Sequence, residues 1–381
     1  MDSALPDMPG GQRPGQTVTA RSRLTRRLAD IVCLPSSQVS PPERWIVADV
    51  LDEIIRHAAP DLRMRVARRL ADQAEAPAGL LRRLALDVYE VAEPILQQAK
   101  ALTDFDMMEV AASGESRHRK ALARREHVSE VVSAALVAAG DPEDIAVLLA
   151  NDGARLAIQT VDRLVQIAVD QPGIAKALIK RAELRPAQAL SLFWDCGHRE
   201  RRAILERFAV GRAVLQDAAA DVFPLAASEK PEDELIGRAL SYIERRQRNR
   251  KAAERSPFGS LEGVVEEAQR SGLRAELVEE MALLANIQRS LLDRMLADFG
   301  GETLAVLAKA TGLSRGHLAM MIEAAGRTDP APEQARYVFD TLSVDKAQTV
   351  LRYWNWSLAL IGLLVPGVVL ITAAASLAGH Q

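Results

Sequence analysis

The residue types that most often perform chemistry form no recognised catalytic or metal-binding pattern in this chain. The six histidines are scattered, and no pair has zinc-ligand spacing with a third ligand nearby. His198 and Glu200 form an H-x-E, as in zinc deaminases, but the required P-C-x-x-C is absent. GxGxxG, P-loop and GxSxG motifs are also absent. The sequence therefore predicts no catalytic residue, metal or cofactor, and favours a protein that is not an enzyme.

A dense run of basic residues is a candidate contact for phosphates or anionic lipid headgroups. It consists of Arg245, Arg246, Arg248, Arg250, Lys251 and Arg255. The alternative is a solvated helix end, because cations are favoured near a helix C-terminus. The run contains no interleaved aromatic residues, and the net charge of the chain is −3. Nucleic acid is therefore an unlikely partner on electrostatic grounds.

Residues Thr303 to Glu323 have the spacing of a helix-turn-helix. Ala308 is the small residue, Gly312 the turn glycine, and Leu318 and Met321 the two apolar packing positions. Ser314 could cap the second helix, which would offer Arg315, His317 and Met320 to DNA. Only one of these three is a strong base-reading side chain. We expect a helical corner that does not bind DNA, with a DNA-binding regulator as the alternative.

The C-terminal stretch Trp356–Gly379 predicts a membrane span. It contains 24 residues without a charge, or roughly 36 Å of helix, enough to cross a hydrocarbon core of about 30 Å. Tyr353, Trp354 and Trp356 are expected at the membrane interface. Lys346 and Arg352 precede the span and no Lys or Arg follows it, which predicts a tail anchor with the body in the cytoplasm. A buried C-terminal helix is the alternative.

The elements that must position these residues are predicted from a recurring phrase between Val66 and Gly197. An apolar or small residue, often followed by Ala, precedes Leu or Ile at the fifth place. The fifth places are Leu70, Ile95, Leu122, Leu149 and Leu178. A drifting period of about 27 residues indicates one short helical hairpin per repeat in a solenoid.

Local signals place the first helices. Leu24, Leu28, Ile31 and Val32 share one face of a helix that ends before Pro35. Ser40, Pro41 and Glu43 mark a second helix start with a capping box. That helix should direct Val47, Leu51, Ile54 and Ile55 inward. Residues 1–20 are rich in Pro and Gly and are predicted to form a disordered tail without a signal peptide.

Composition agrees with a helical fold. Apolar residues make up 48% of the chain but aromatic residues only 4%, so the core must consist mostly of Ala, Leu, Val and Ile. This disfavours a β-sandwich. The two cysteines, Cys33 and Cys196, are far apart and are expected to be reduced structural thiols.

Several segments resemble an uncharacterised bacterial family, a domain of unknown function with HEAT-like or leucine-rich-variant-like helical repeats. They are "LTRRLADIVCLPSSQVSPPERWIVADVL", "VARRLADQAEAPAGLLRRLALD" and "SLFWDCGHRERRAILERF". The resemblance extends from about Leu24 to Tyr353. It implies an α-helical fold and supplies no activity or catalytic residue.

The expected fold is all-α: a HEAT-like helical-hairpin solenoid over 24–227, a helical bundle over 233–353, and a transmembrane helix over 356–379. A polar break at 228–234 separates the first two. The leading function is a non-enzymatic, membrane-tethered scaffold that presents a surface to an unidentified protein partner. The alternatives are a DNA-binding regulator that uses residues 303–323, and an enzyme with an unrecognised site.

Overall fold

The computed structural model describes residues 14–211, 247–355 and 357. Within these ranges every regular element is a helix, and an isolated bridge between Val128 and Ala154 is not extended into a strand. The all-α prediction is therefore confirmed. The chain divides into two compact units, Met1–Glu183 and Leu184–Gln381. The boundary predicted at 228–234 lies outside the described residues.

The first unit contains a series of short helices. They are α1 (Pro14–Val32), α2 (Pro41–Arg56), α3 (Pro60–Ala71), α4 (Ala78–Ala85), α5 (Tyr89–Gln98), α6 (Asp104–Ser113), α7 (Ser116–Ala123), α8 (Glu130–Ala139), α9 (Pro142–Leu149), α10 (Ile158–Asp170) and α11 (Pro172–Leu178). From α3 onward, each odd-numbered helix packs on the next odd-numbered one, through α5, α7 and α9 to α11. Among the even-numbered helices, α8 packs on both α6 and α10.

The odd-numbered helices carry the fifth-place residues of the recurring phrase. All five of these side chains are buried, as predicted: Leu70, Ile95, Leu122, Leu149 and Leu178. Small residues accompany them, since Ala67, Ala92 and Ala121 are fully buried as well. Small side chains at such positions let neighbouring helices approach closely.

Polar contacts recur along the first unit with the period of the helices. Arg63 donates to both carboxylate oxygens of Asp87, at 2.7 and 2.8 Å, and to the carbonyl oxygen of Ala58. Arg119 likewise donates to one carboxylate oxygen of Asp144 and to the carbonyl oxygen of Gly114. In both cases the carbonyl lies five residues before the arginine. The recurrence shows that two separate segments of the chain fold in the same way.

A second recurring contact occupies the helix C-termini, whose last carbonyl oxygens lack intrahelical donors. Arg125, after α7, donates to the Leu96 and Ala99 carbonyls at the end of α5, at 2.6 and 2.9 Å. Arg181, after α11, likewise donates to the carbonyls of Asn151 and Ala154 after α9. An arginine that follows one helix therefore donates to the free carbonyl oxygens at the C-terminal end of the neighbouring helix.

The first helix differs from its prediction in two respects. It begins at Pro14, so residues 14–20, expected in a disordered tail, are helical, whereas residues 1–13 lie outside the described residues. Its buried face carries Thr25, Ala29 and Val32, while Leu24 is exposed. The buried face of α1 is thus rotated by about one residue position from the predicted face. The smaller side chains of the observed face permit close packing on α2 and α3.

The second helix begins as predicted, at Pro41, and Glu43 accepts hydrogen bonds from the backbone N–H and hydroxyl of Ser40 at 2.9 and 2.6 Å. Of the four residues predicted to point inward, Leu51 and Ile55 are fully buried. Val47 and Ile54 are only half-buried.

The second unit is built from further short helices. They are α12 (Pro186–Leu192), a 3-10 turn (Phe193–Asp195), α13 (His198–Phe208), α14 (Arg250–Ala253), α15 (Leu261–Ser271), α16 (Ala275–Ala285), α17 (Arg289–Ala297), α18 (Glu302–Thr311), α19 (Arg315–Ala324) and α20 (Ala331–Thr341), followed by helical backbone over 344–355. Helix α18 is central: every residue in it except Lys309 is buried, and it packs on α17, α19 and α20.

Candidate functional site

Large apolar side chains are exposed at the N-terminal ends of three even-numbered helices in the first unit, α6, α8 and α10. Phe105 is the second residue of α6, Val131 the second of α8, and Ile158 the first of α10. Their exposed fractions are 69%, 51% and 47%. Met108 on α6 is also exposed. Because α8 packs on both α6 and α10, these residues form a row, which we call the α6–α10 row.

The α6 and α8 part of this row is acidic. Helices α6 and α8 contain no Lys or Arg and carry the carboxylates of Asp104, Glu109 and Glu130, whereas Arg155, Asp162 and Arg163 lie at the α10 end. Beside Phe105, the guanidinium of Arg82 of α4 lies 5.8 Å from the centre of the ring. Arg82 is paired with Asp106 at 2.7 Å. At α6 and α8 the row thus combines exposed apolar surface with a negative border.

Helix α2 exposes a second group of large apolar side chains, Trp45, Ile46 and Val50. Acidic and basic residues both border this group, because Glu53 and Arg56 follow on the same helix. It lacks the repetition at successive even-numbered helices that distinguishes the α6–α10 row.

In the second unit, a buried group of charges links α13 to α18. Arg201 is fully buried and donates to both oxygens of Asp298, at 2.8 and 2.7 Å, and to Glu302 at 3.2 Å. The other oxygen of Glu302 lies 2.5 Å from Nδ1 of His198. Although burial lowers the pKa of the Arg201 guanidinium, Asp298 and Glu302 outweigh it and raise that pKa above its ordinary value.

Neighbouring groups complete this charge cluster. Arg201 also donates to the carbonyl oxygens of Phe193, Trp194 and Cys196, so its remaining N–H groups are used within the fold. Its guanidinium lies 4.3 Å from the centre of the Phe299 ring. A Cβ at Gly300 would overlap the Glu302 carboxylate, so the close approach requires glycine there. The cluster is saturated by internal partners and acts as a structural link.

The helix-turn-helix spacing corresponds to an actual pair of packed helices, α18 and α19. Gly312 has φ +73° at the turn, and Ala308, Leu318 and Met321 are buried as the spacing requires. Ser314 caps α19 by accepting from the N–H of His317.

The side chains that α19 would offer to DNA have acidic neighbours. Arg315 is paired with Asp340, and His317 lies 3.8 Å from Glu266. Carboxylates beside the major groove would repel phosphates, so the electrostatics of this surface oppose binding to DNA.

Comparison with known proteins places the chain in a family. A family model described as an uncharacterised protein conserved in bacteria (DUF2336) matches residues 91–352, which is more than half of the chain. The chain belongs to this family. No curated protein and no solved structure matches it. The DUF2336 match begins within α5, whereas the resemblance noted in the sequence began at about Leu24.

The DUF2336 match includes the basic run, of which Arg245 and Arg246 lie outside the described residues. Arg248 is paired with Glu262, at 2.9 and 2.6 Å, and also donates to the carbonyl oxygen of Thr311. Arg250 and Lys251 are exposed on the four-residue helix α14. Among the described residues of the run, Arg250, Lys251 and Arg255 are therefore exposed, whereas Arg248 is bonded within the fold.

Of the aromatic residues predicted at a membrane interface, Trp354 lies in the interior of the second unit. It is 1% exposed, its indole N–H donates to the carbonyl oxygen of Leu190, and its ring packs against Phe193 and Trp194. Tyr353 donates its hydroxyl to the Ala187 carbonyl at 2.9 Å. Trp356 lies outside the described residues.

The predicted membrane span, Trp356–Gly379, lies outside the described residues except for Ser357. In the part of the chain that is described, no helix is both long and apolar enough to cross a bilayer. In the same part, no three His, Cys, Asp or Glu side chains are grouped so that they could hold a metal. Glu200, of the H-x-E, is half-buried on α13.

Sequence reasoning missed the α6–α10 row and the Arg201 cluster. The row had a signal, because Phe105, Val131 and Ile158 recur at the repeat period. The cluster had none, because Arg201 and Asp298 are 97 residues apart.

Proposed function

We propose that this DUF2336 chain is a non-enzymatic scaffold whose first unit is a HEAT-like solenoid of helical hairpins, and that the α6–α10 row binds a protein partner. The observation that carries the proposal is the exposure of Phe105, Val131 and Ile158 at the N-terminal ends of three even-numbered helices. Exposed apolar side chains in a continuous group are typical of protein interaction sites. Repeat proteins commonly bind partners through such repeated surface positions.

The charge around the row defines the chemistry of the partner. Since Asp104, Glu109 and Glu130 border the row and α6 and α8 lack basic residues, a complementary segment would carry apolar side chains flanked by Lys or Arg. An amphipathic helix with a basic border meets both requirements.

Photo-crosslinking in cells tests this proposal. A photoreactive residue at Val131 should give a discrete crosslinked species, and Phe105→Asp in the same chain should abolish it. The matched control carries the photoreactive residue at Lys176, which is exposed on α11. Sequencing of the crosslinked segment should find an apolar and basic peptide. Equal crosslinking at Val131 and Lys176, or an acidic segment, would refute the proposal.

The second part of the proposal is that Trp356–Gly379 tethers the scaffold to a membrane with its body in the cytoplasm. The support is the uncharged length of this segment and the basic residues before it. Carbonate extraction should leave the full chain in the membrane pellet and release a chain truncated after Tyr353. Val365→Arg should shift the full chain towards the supernatant, since a central Arg costs about 2.5–3.5 kcal/mol on insertion. Equal release of the full and truncated chains would contradict the tether.

A further inference from the structure

A groove in the first unit runs between α1 and α3. It contains two adjoining cavities of about 440 and 250 Å³, which share Ser22, Leu62 and Arg65 in their walls. Their combined size lies within the range of small-molecule sites. The floor of the groove is apolar and includes Ala29, Leu62 and Val66.

The rim of the groove is rich in arginine. Arg21 and Arg26 project from α1, and Arg65 and Arg69 from α3. Arg69 is neutralised by Asp30 at 3.3 Å. Arg21, Arg26 and Arg65 are exposed, and among the residues that the structure describes none of the three has an ion-pair partner. One further carboxylate, that of Asp61, lies in the groove wall.

Surrounding residues reinforce this positive character. Arg23, Arg27 and Arg68 are exposed on the same two helices, so the cations around the groove outnumber the carboxylates. One cavity also reaches the start of α3, where Ala59 provides no side-chain cap for the first turn. The positive end of the helix dipole therefore adds to the field of the arginines.

We propose that this α1–α3 groove binds a phosphate group carried on an apolar body, with the phosphate on Arg21, Arg26 and Arg65 and the apolar part on the floor. Guanidinium groups bind phosphate oxygens through paired hydrogen bonds, and three arginines line this one groove. The apolar floor disfavours a ligand that is only an inorganic anion. A phospholipid and a soluble organic phosphate both have the required chemistry. The site is separate from the α6–α10 row and does not depend on the function proposed for that row.

Hydrogen–deuterium exchange on the full chain in a nonionic detergent tests the proposal with a local readout. The probes are phenyl phosphate, as a soluble source, and mixed micelles that contain phosphatidylglycerol, as a lipid source. Phenol and micelles that contain diacylglycerol are the matched controls, since neither carries a phosphate group. At least one phosphate probe should slow exchange in residues 21–33 and 60–71 several-fold, while exchange in α9 and α11 stays unchanged.

Substitutions connect the protection to the arginines. Arg26→Glu with Arg65→Glu should abolish it, and the milder Arg26→Gln with Arg65→Gln should weaken it. Arg124→Glu with Arg155→Glu changes the net charge equally at exposed positions outside the groove and should leave it intact.

The two sources give distinguishable outcomes. Protection by phenyl phosphate identifies a soluble ligand as sufficient, whereas protection by phosphatidylglycerol alone identifies a lipid. Three results would overturn the proposal: no protection by either phosphate probe, equal protection by the controls, or equal loss of protection in the Arg124 and Arg155 variant.

Discussion

The guanidinium of Arg201 and the carboxylate of Asp298 form two parallel hydrogen bonds, at 2.8 and 2.7 Å, between the N-terminal turn of α13 and the segment before α18. Both side chains are withdrawn from solvent, with exposed fractions of 0% and 5%. A buried pair of this geometry fixes how two helices meet, because neither charge has water as an alternative partner. Glu302 adds a second carboxylate to the same guanidinium.

We predict that Arg201→Met destabilises the protein strongly, by about 3–5 kcal/mol, because it leaves Asp298 and Glu302 buried without their cation. Urea denaturation followed by circular dichroism measures this loss. Arg270→Met is the matched control, since the Arg270–Glu266 pair lies on an exposed helix face, and it should change the midpoint little. Similar midpoints for the two variants would show that the Arg201 pair does not link the helices.

The second prediction concerns Asp106, a buried carboxylate at the start of α6. Burial raises its pKa, but hydrogen bonds from Thr103 and the Arg82 guanidinium outweigh burial and hold the pKa below its ordinary value of 3.8. Because the pKa is lowered in the folded state, the ionised carboxylate stabilises the fold at pH values above its ordinary pKa. This stabilisation is lost as the pH falls through the folded pKa. Asp106→Asn should therefore lower stability by about 1–3 kcal/mol at pH 7.

Urea titrations at pH 7 and at pH 3 test this linkage. The stability difference between Asp106→Asn and wild type should be smaller at pH 3, because the carboxylate of the unfolded chain, with its ordinary pKa of 3.8, is largely protonated there. A difference that stays constant between the two pH values would contradict the assignment.

The third prediction is that Cys196 is unreactive in the folded protein. Burial raises the pKa of its thiol from an ordinary 9.0 to about 12, which lowers the thiolate fraction about a thousandfold at pH 8. Burial also raises the pKa of Cys33, but that residue is only partly buried. A thiol reagent at pH 8 should label Cys33 before Cys196, and both at similar rates in urea. Rapid native labelling of a Cys33→Ser chain would refute this prediction.

The fourth prediction is that α19 does not recognise DNA. Arg315 is paired with Asp340, and Glu266 and Glu323 are carboxylates on or beside the same surface. Gel shifts at low salt with a library of duplexes should show no sequence preference. Asp340→Ala, which releases Arg315, should produce no preference either, because the remaining carboxylates still repel phosphate. A preferred duplex whose binding is lost in Arg315→Ala would contradict this view.

The sequence predicts a structural feature correctly where residues close together in the chain determine that feature. The fifth-place leucines are buried because apolar residues at a constant spacing must share a core. The start of α2 was located to the residue because Ser40, Pro41 and Glu43 act on one helix end. Gly312 and Ser314 likewise determine the turn between α18 and α19.

Other features depend on partners that no local pattern identifies. On α1, Leu24 and Leu28 form as apolar a stripe as Ala29 and Val32, and only contact with α2 and α3 decides which stripe is buried. Trp354 was assigned to a membrane interface because aromatic residues favour that depth. Its hydrogen bond to the Leu190 carbonyl joins residues 164 apart, which sequence spacing does not reveal.

The last prediction separates the core of the first unit from its proposed binding surface. Leu122 of α7 is fully buried between helices, whereas the side chain of Phe105 of α6 is 69% exposed to solvent. Leu122→Ala removes buried methyl groups and leaves a cavity, so it should lower the free energy of unfolding by about 2–5 kcal/mol. Phe105→Ala removes more apolar surface, but that surface is already in water, so stability should change by less than about 0.5 kcal/mol.

Urea denaturation of both variants measures the two changes in stability, and the crosslink from Val131 measures partner binding. The structure requires that Leu122→Ala unfolds earlier and that only Phe105→Ala weakens the crosslink under conditions where both chains are folded. A large stability loss in Phe105→Ala would mean that this ring packs within the fold, and the α6–α10 row would then not be a free surface.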